Sequence, residues 1–262
     1  MIPADFHIHT HHSGDSEAPM DAVIESAIKK GLPAICITEH MDFDYPETPD
    51  LPGGVFEVDT DEYRKEFLSM KSKYGNRIKM FFGIELGMQP QIVKQNSDYV
   101  KSYPFDFVIG SNHLCHGEDP YYPAFYEGRS ESEAYRDFFE STLENIKLFN
   151  DFDVLGHLDY IVRYAPSLEA GYNYLTYKEI IDEILKEIIS GGKGLDVNTK
   201  SLYTNSEPAF KNPNPCRDIL LRYKEMGGEI ITFGSDAHKA KNVAGAFNLV
   251  TDIVKGCGFT AY

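Results

Sequence analysis

The chain has 262 residues, 42% of them hydrophobic, which is enough for one large domain with a buried core or for two small ones. Its 41 acidic and 25 basic side chains give a net charge of −16, and the sequence shows no basic footprint of the kind that nucleic-acid binding needs. No apolar run approaches the roughly 20 residues that span a bilayer. The four scattered cysteines and the lack of a leader-like N-terminus predict a cytoplasmic protein.

Short apolar runs alternate with amphipathic stretches along the whole chain. The apolar runs predict strands at Ala4–His9, Ala34–His40, Ile78–Glu85, Phe107–His113, Val154–His157, Gly194–Asn198 and Ile230–Asp236. The amphipathic stretches predict helices over 21–31, 60–75, 91–102, 131–149, 177–192, 214–227 and 242–256. Seven strand–helix units in succession favour a parallel α/β fold with crossover helices.

Two longer segments, Asp42–Thr60 and Cys115–Ser130, are rich in Pro, Gly, Asp and Tyr. Their length and composition are typical of active-site loops rather than of domain boundaries. The chain contains neither a linker-like low-complexity segment nor an internal repeat.

The segment ADFHIHTHHSGDS at 4–16 contains four of the nine histidines in the chain. His7 and His9 are two residues apart, so on a strand their side chains point to the same side. Two neutral imidazoles placed in this way can bind one cation together. His11 and His12 lie beyond the predicted strand, and we expect them in an exposed loop or beside the metal ligands.

Six of the seven predicted strands end in a histidine or a carboxylate. These residues are His7, His9, Glu39, His40, Glu85, His113, His157, Asp236 and His238, while Asn198 ends the remaining strand. In α/β barrels, the C-terminal strand ends surround one mouth. Six histidines with two or more carboxylates exceed the needs of a single ion, which favours a cluster of two or three metals.

Four residues near these strand ends have a plainer interpretation. Glu39 would point away from its neighbour His40 in a regular strand, which favours a supporting ion pair over ligation. Cys115 is expected to be a buried, inert thiol, and Asn198 a hydrogen-bonding residue at the barrel rim. His116 lies in a loop and is a weaker candidate for a substrate contact.

The chain resembles the polymerase and histidinol phosphatase (PHP) family. The matching motifs are DFHIHTHHSGDS at 5–16, ITEH at 37–40, GIELG at 83–87, GSNH at 110–113, GHLD at 156–159 and GSDAH at 234–238. They occur in the order of the family and cover nearly the whole chain. The resemblance implies one distorted (β/α)7 barrel domain over residues 1–262, with a metal site at the C-terminal ends of its strands.

The resemblance also implies three metal sites. His7, His9, Glu85 and Asp236 would hold one ion, and Glu85 would bridge to a second ion held by His113 and His157. His40, His238 and Asp15 would hold a third. Many family members have histidine where this chain has Asp15, so Asp15 is either a ligand or an acid. The ions would be Zn, Mn or Fe.

These residues suit hydrolysis of a phosphate monoester by metal-activated hydroxide. Arg163, shortly after the fifth predicted strand, is the candidate guanidinium for the phosphate oxygens. Asp15 or a nearby histidine such as His40 would protonate the departing alcohol. The two loops also contain carboxylates and tyrosines that could bind the amine and the imidazole of a substrate. These candidates are Asp42, Asp44, Glu118, Asp119, Tyr121 and Tyr122.

Within the family, the length, TEHMDF at 38–43 and HLDYIVRYAP at 157–166 are similar to the histidinol-phosphatases. This similarity implies hydrolysis of L-histidinol phosphate to L-histidinol in histidine biosynthesis, so the expected partner is a small phosphorylated metabolite rather than a nucleic acid or a membrane. Three alternatives remain: a phosphoesterase for a nucleotide, sugar phosphate or phosphotyrosine, a metal-dependent amidohydrolase, and a non-catalytic metal-binding domain.

Overall fold

A computed structural model describes residues 4–48, 51–204 and 210–260. Six strands form one parallel sheet in chain order. They are β1 Ala34–Met41, β2 Lys79–Gly87, β3 Phe107–Ser111, β4 Val154–Leu155, β5 Gly194–Asn198 and β6 Ile231–Gly234. Because each strand pairs with the next in sequence, every connection crosses over one face of the sheet, as the predicted βα repeat requires.

The N-terminal segment 5–9 joins the two edges of this sheet. Asp5 forms a parallel bridge with Ile35 of β1, and Ile8 forms one with Ala237 beyond β6. The Cys36 N–H donates to the Asp5 carbonyl over 2.9 Å on one side. The Phe6 N–H donates to the Phe233 carbonyl over 2.8 Å on the other. The sheet therefore curls into a distorted (β/α)7 barrel, as predicted, although predicted strand Ala4–His9 forms only isolated bridges.

Nine α-helices lie within the described ranges. They are α1 Met20–Lys29, α2 Thr60–Tyr74, α3 Val93–Ser102, α4 Glu131–Leu148, α5 Leu168–Gly171, α6 Lys178–Ser190, α7 Lys200–Tyr203, α8 Arg217–Glu225 and α9 Phe247–Gly256. The seven predicted helices correspond to all of these except the four-residue α5 and α7. None of the helices in the described ranges is both long enough and apolar enough to cross a membrane.

Local backbone geometry explains two differences from the predicted bounds. Helix α9 begins at Phe247 rather than at 242, because Ala244 and Ala246 have positive φ angles of 52° and 55°, which a helix does not accommodate. Strand β6 ends at Gly234, two residues before Asp236, whose φ is 51°. Asp236 therefore lies on a turn beyond its strand, and His113 likewise follows β3 by two residues.

The apolar core has two parts. The larger part lies between the sheet and the helices, where α6 contributes Ile181, Ile184, Leu185 and Ile188 at the spacing of one helix face. The smaller part fills the inside of the sheet and consists of Cys36, Phe107, Ile109 and Val154, with Phe6 and Phe81 packed against them. Apolar side chains thus fill the interior of the barrel, and polar side chains lie above them at the strand ends.

Gly234 lets the N-terminal segment approach β6 closely. A Cβ atom there would lie 2.5 Å from His7 Cβ and 2.5 Å from Asp196 Oδ1, whereas one at Gly256 would meet nothing within 4 Å. We expect Gly234→Ala to lower the free energy of unfolding by about 1–3 kcal/mol through overpacking. Gly256→Ala, the control at the end of α9, should raise it by about 0.5–1 kcal/mol. Denaturant unfolding of both variants checks this, and a parental midpoint for Gly234→Ala would contradict the close approach.

Candidate metal centre and active site

The carboxylate of Glu85, near the end of β2, lies at the centre of a buried cluster of imidazoles. Its side chain is 1% exposed. Oε2 lies 3.0 Å from His7 Nε2, 3.3 Å from His9 Nε2 and 3.3 Å from His40 Nδ1. Oε1 lies 3.2 Å from His113 Nε2 and 3.0 Å from His157 Nε2. The two oxygens thus face two different groups of histidines.

Burial and charge both shift the pKa values of these groups. Burial raises the pKa of Glu85, but the charges of His7, His113 and His40 outweigh it and hold the pKa well below its usual range. Burial and the neighbouring imidazoles lower the pKa of His9, and burial lowers the pKa of His157 to about 3. Ionised Glu85 and the neutral rings of His9 and His157 are in the protonation states that metal ions bind. In contrast, neighbouring carboxylates outweigh burial and raise the pKa of His7, His40 and His113.

Four converging atoms show that the cluster fits metal ions. His7 Nε2, His9 Nε2, His40 Nδ1 and Glu85 Oε2 are buried and form no hydrogen bond, although the three nitrogens lie within 3.3 Å of that oxygen. Buried polar atoms are normally hydrogen-bonded. Contacts this short without hydrogen-bond geometry are the arrangement expected of ligands that share a cation.

The far nitrogens of three rings are held by other side chains. The His7 Nδ1–H donates to Asp196 Oδ2 over 2.8 Å, and His113 Nδ1–H donates to Asp42 Oδ1 over 2.6 Å. His9 Nδ1 lies 3.1 Å from Ser13 Oγ. Such contacts fix the ring orientation and raise the basicity of the opposite nitrogen.

The sequence predictions missed two of these supports and assigned a third to another role. Asp42 is one of the six loop candidates for a substrate contact, and in the structure it also holds His113 and lies 3.4 Å from His40 Nδ1. Ser13 had no sequence signal beyond its place in the histidine-rich segment. Asp196 did have one, because a carboxylate in the middle of the apolar strand GLDVN needs a buried partner.

Asp15 and His238 extend the cluster toward solvent. The Asp15 side chain is 39% exposed, and its Oδ2 lies 2.9 Å from His238 Nε2. Its Oδ1 lies 3.8 Å from His40 Nε2. Partial burial raises the pKa of Asp15, but the charges of His40 and His238 outweigh it and hold that pKa well below its usual value. The carboxylate is therefore ionised and faces two imidazoles.

Asp236 links the cluster to two cationic side chains. Its Oδ1 lies 3.6 Å from His9 Nε2 and 3.0 Å from Lys200 Nζ. Its Oδ2 accepts a hydrogen bond of 3.1 Å from Arg163. Burial raises the pKa of Asp236, but Lys200, His7, His238 and Arg163 together hold it well below its usual range. The structure thus brings together all nine predicted metal-ligating residues.

Arg163 is fixed on three sides. Its Nε donates to Asn214 Oδ1 over 2.8 Å and one Nη donates to Asn198 Oδ1 over 2.6 Å, in addition to the contact with Asp236. It is buried and lines the cavity above the cluster. Lys200, which the sequence analysis did not identify, lines the same cavity and lies 3.2 Å from His238 Nδ1. Its only sequence signal was its place two residues after the β5 end.

A cavity of about 350 Å³ lies above the cluster, and residues of both predicted loops line it. Of the six predicted loop candidates, Asp42, Asp119, Tyr121 and Tyr122 line it. Asp44 and Glu118 do not line it, and Glu118 pairs instead with Arg129 over 2.7 Å. Tyr45 also lines it and donates to Asp119 Oδ2 over 2.6 Å. Residues 49 and 50 of the loop Asp42–Thr60 lie outside the described ranges.

The remaining residues singled out from the sequence do not face the cluster directly. Glu39 is buried and accepts hydrogen bonds of 3.0 Å from the Thr10 N–H and 2.5 Å from Ser13 Oγ, so it holds the loop rather than an ion. Cys115 is buried. His116 is exposed and does not line the cavity.

Known proteins share this architecture. The PHP domain family matches residues 5–200. A "Histidinol-phosphatase" from Lactococcus lactis is 32% identical over 99% of this chain and 93% of its own. A "Probable histidinol-phosphatase" from Clostridium acetobutylicum is 34% identical, and the match covers 97% of this chain and 93% of that protein.

Two solved structures extend the comparison. Histidinol phosphate phosphatase from L. lactis, crystallised with Zn, L-histidinol and phosphate, has 31% identity and a TM-score of 0.88, covering 99% of this chain and 95% of that one. A structure from Listeria monocytogenes, with 18% identity and a TM-score of 0.77, covers 94% and 98% and shares the fold. Because the family match spans most of the barrel and the relatives align over nearly all of the chain, this protein belongs to the PHP domain family.

Proposed function

We propose that the chain is a metal-dependent histidinol-phosphatase, which hydrolyses L-histidinol phosphate to L-histidinol and phosphate. The observation that carries this proposal is the full-length similarity to the L. lactis enzyme, whose crystal structure contains zinc, L-histidinol and phosphate. The buried imidazole and carboxylate cluster, with two cationic side chains at its edge, supplies the matching chemistry.

The two carboxylate oxygens of Glu85 face different histidines, which supports its assignment as a bridging ligand. Its Oε2 faces His7 and His9, and its Oε1 faces His113 and His157. Asp236 completes the first set. Asp15, His40 and His238 would hold a third divalent ion. Zn, Mn and Fe all accept imidazole and carboxylate ligands, and when bound they activate water and neutralise phosphate charge.

The ionised state of Asp15 favours the ligand role over the acid role. A carboxyl group whose pKa is held well below its usual value has no proton to donate near neutral pH. His40, whose pKa is raised because Asp15 and Glu85 outweigh the effect of burial, is the better proton donor of the two residues where it is not bound to an ion.

Arg163 and Lys200 would bind the non-bridging phosphate oxygens. Both line the cavity, and both are held by Asp236. Arg163 is buried and anchored by two asparagines, so its planar guanidinium needs little reorganisation when phosphate arrives.

The mouth of the cavity would bind the rest of the substrate. Burial raises the pKa of Asp119, and the Tyr45 hydroxyl and the Tyr121 N–H, which both donate to it, lower it only in part. A cationic amine or imidazolium bound beside Asp119 would favour its ionised form and so lower that pKa again. Tyr121 and Tyr164, with ring centroids 5.2 Å apart, add aromatic surface beside it.

The four cysteines form no disulfide, which suits the reducing cytoplasm that we propose as the location.

A substrate panel tests the proposed function. The metal-loaded chain should hydrolyse L-histidinol phosphate with a kcat/KM at least about 10³-fold above that for glycerol phosphate, a nucleoside monophosphate and a phosphotyrosyl peptide, because buried polar groups reject ligands that leave them unpaired. Phosphate release measures this. Equal and slow rates on all four would remove the histidinol assignment and favour another phosphoesterase. Release of phosphate from none of them would contradict a phosphatase.

We expect Glu85→Gln to lower kcat by about 10²-fold or more, because it removes the negative charge and one of the two carboxylate oxygens that would hold the metal ions. Bound metal per chain, measured by atomic absorption, should fall as well. Glu183→Gln, an exposed position on α6, is the matched control and should retain both activity and metal. Full activity with full metal content in Glu85→Gln would rule out the bridging assignment.

Arg163→Ala should reduce kcat/KM by about 10²–10³-fold, since it removes a positioned cation from the phosphate oxygens. Arg136→Ala, on the exposed face of α4, removes the same charge away from the cavity and should be neutral. Steady-state kinetics of the two variants would separate a local effect from a change in net charge. Parental kinetics for Arg163→Ala would mean that its guanidinium does not contact phosphate.

A further inference from the structure

A second group of metal-ligating side chains lies beside the metal centre but does not contribute to it. His11 and His12 stand in the turn after the N-terminal segment, and Glu66 lies on α2. Nothing in the proposed phosphatase reaction uses these three residues.

The two imidazoles converge on one carboxylate oxygen. His12 Nε2 lies 2.7 Å from Glu66 Oε2, and His11 Nε2 lies 3.3 Å from the same oxygen. The ring centroids are 4.4 Å apart. One ligand atom from each residue therefore falls within 4.8 Å of the others, as three ligands of one ion must. One ring alone would be enough to form a hydrogen bond with this oxygen, so hydrogen bonding does not explain why both rings lie beside it.

Surrounding contacts fix the geometry of this group. The His11 N–H donates to the Ala18 carbonyl over 2.9 Å, and this hydrogen bond joins the two ends of the loop 11–18. The His12 ring packs against Tyr63 with centroids 5.6 Å apart. Tyr63 lies three residues before Glu66 on the same face of α2, so one helix positions both the ring contact and the carboxylate.

We propose that His11, His12 and Glu66 form a separate Zn²⁺ site that clamps the N-terminal loop to α2. Two imidazole nitrogens and one carboxylate oxygen are a donor set that zinc binds, and water can complete the tetrahedron on the exposed side. The His11 side chain is 43% exposed and that of Glu66 is 27% exposed, so an ion can enter from solvent.

This site is weaker than the metal centre for a physical reason. The centre is buried and several of its rings are oriented by other side chains, whereas His11 must lose side-chain freedom when it binds. The inference does not depend on the proposed function, because it concerns only the binding of zinc by the folded chain.

Equilibrium dialysis of the full-length chain tests the proposal. The zinc-loaded protein is dialysed against rising concentrations of free Zn²⁺, and bound zinc per chain is measured by atomic absorption. The parent chain should bind one more equivalent than Glu66→Gln or His11→Asn at saturation. Its thermal unfolding midpoint should also rise over the concentration range in which that last equivalent binds, because the ion stabilises the folded state.

Two matched controls separate a site from general charge effects. Glu62→Gln makes the same change one turn earlier on α2, where the side chain is 61% exposed and pairs with Lys65. His116→Asn removes another exposed histidine. Both should bind as much zinc as the parent. Equal zinc binding by the parent and Glu66→Gln at every concentration would overturn the proposal and reduce the group to an ion pair. Loss of several equivalents together with activity in Glu66→Gln would also overturn it, because Glu66 would then support the metal centre.

Discussion

The structure depends on the burial of one ionised carboxylate, that of Glu85. Transfer of an unpaired carboxylate into a low-dielectric interior is prohibitive, so its negative charge must be compensated by the groups around it. Imidazoles from the N-terminal segment and from β1, and from the turns after β3 and β4, supply the contacts. Because these elements are far apart in sequence, the compensation exists only when the barrel has closed.

Closure and chemistry therefore share one element. The segment that bridges β1 and β6 also places His7 and His9, and its backbone hydrogen bonds extend to the turn that holds Asp236, whose N–H donates to the His7 carbonyl over 2.7 Å. The absence of a side chain at Gly234 allows this approach. A displacement of the segment would open the sheet edge and separate the ligands at the same time.

Much of this was predictable because strand periodicity and strand-end chemistry are local signals. Five of the six short apolar runs that end in a histidine or carboxylate identified both a strand and a side chain at the barrel mouth. The sixth, Ala4–His9, identified its histidines correctly but forms only isolated bridges. Side chains that act across the barrel were not visible in this way. Lys200 and Asn214 matter because of where Asp236 and Arg163 lie, and only the folded chain brings them together. The same holds for Asp42, whose position in a loop indicated a substrate contact but not its bond to His113.

The balance of charge in the cluster links metal occupancy to folding. Five carboxylates surround the imidazoles: those of Asp15, Asp42, Glu85, Asp196 and Asp236. The two nearby cations, Arg163 and Lys200, both contact Asp236. Burial lowers the pKa of His7 and of His113, but the neighbouring carboxylates outweigh it and raise the pKa of both rings, which favours their protonated forms where no ion is bound. Metal ions must displace those protons to bind. Metal binding to this cluster would therefore be favoured as pH rises. Bound ions would stabilise the folded barrel to the extent that they bind it in preference to the unfolded chain.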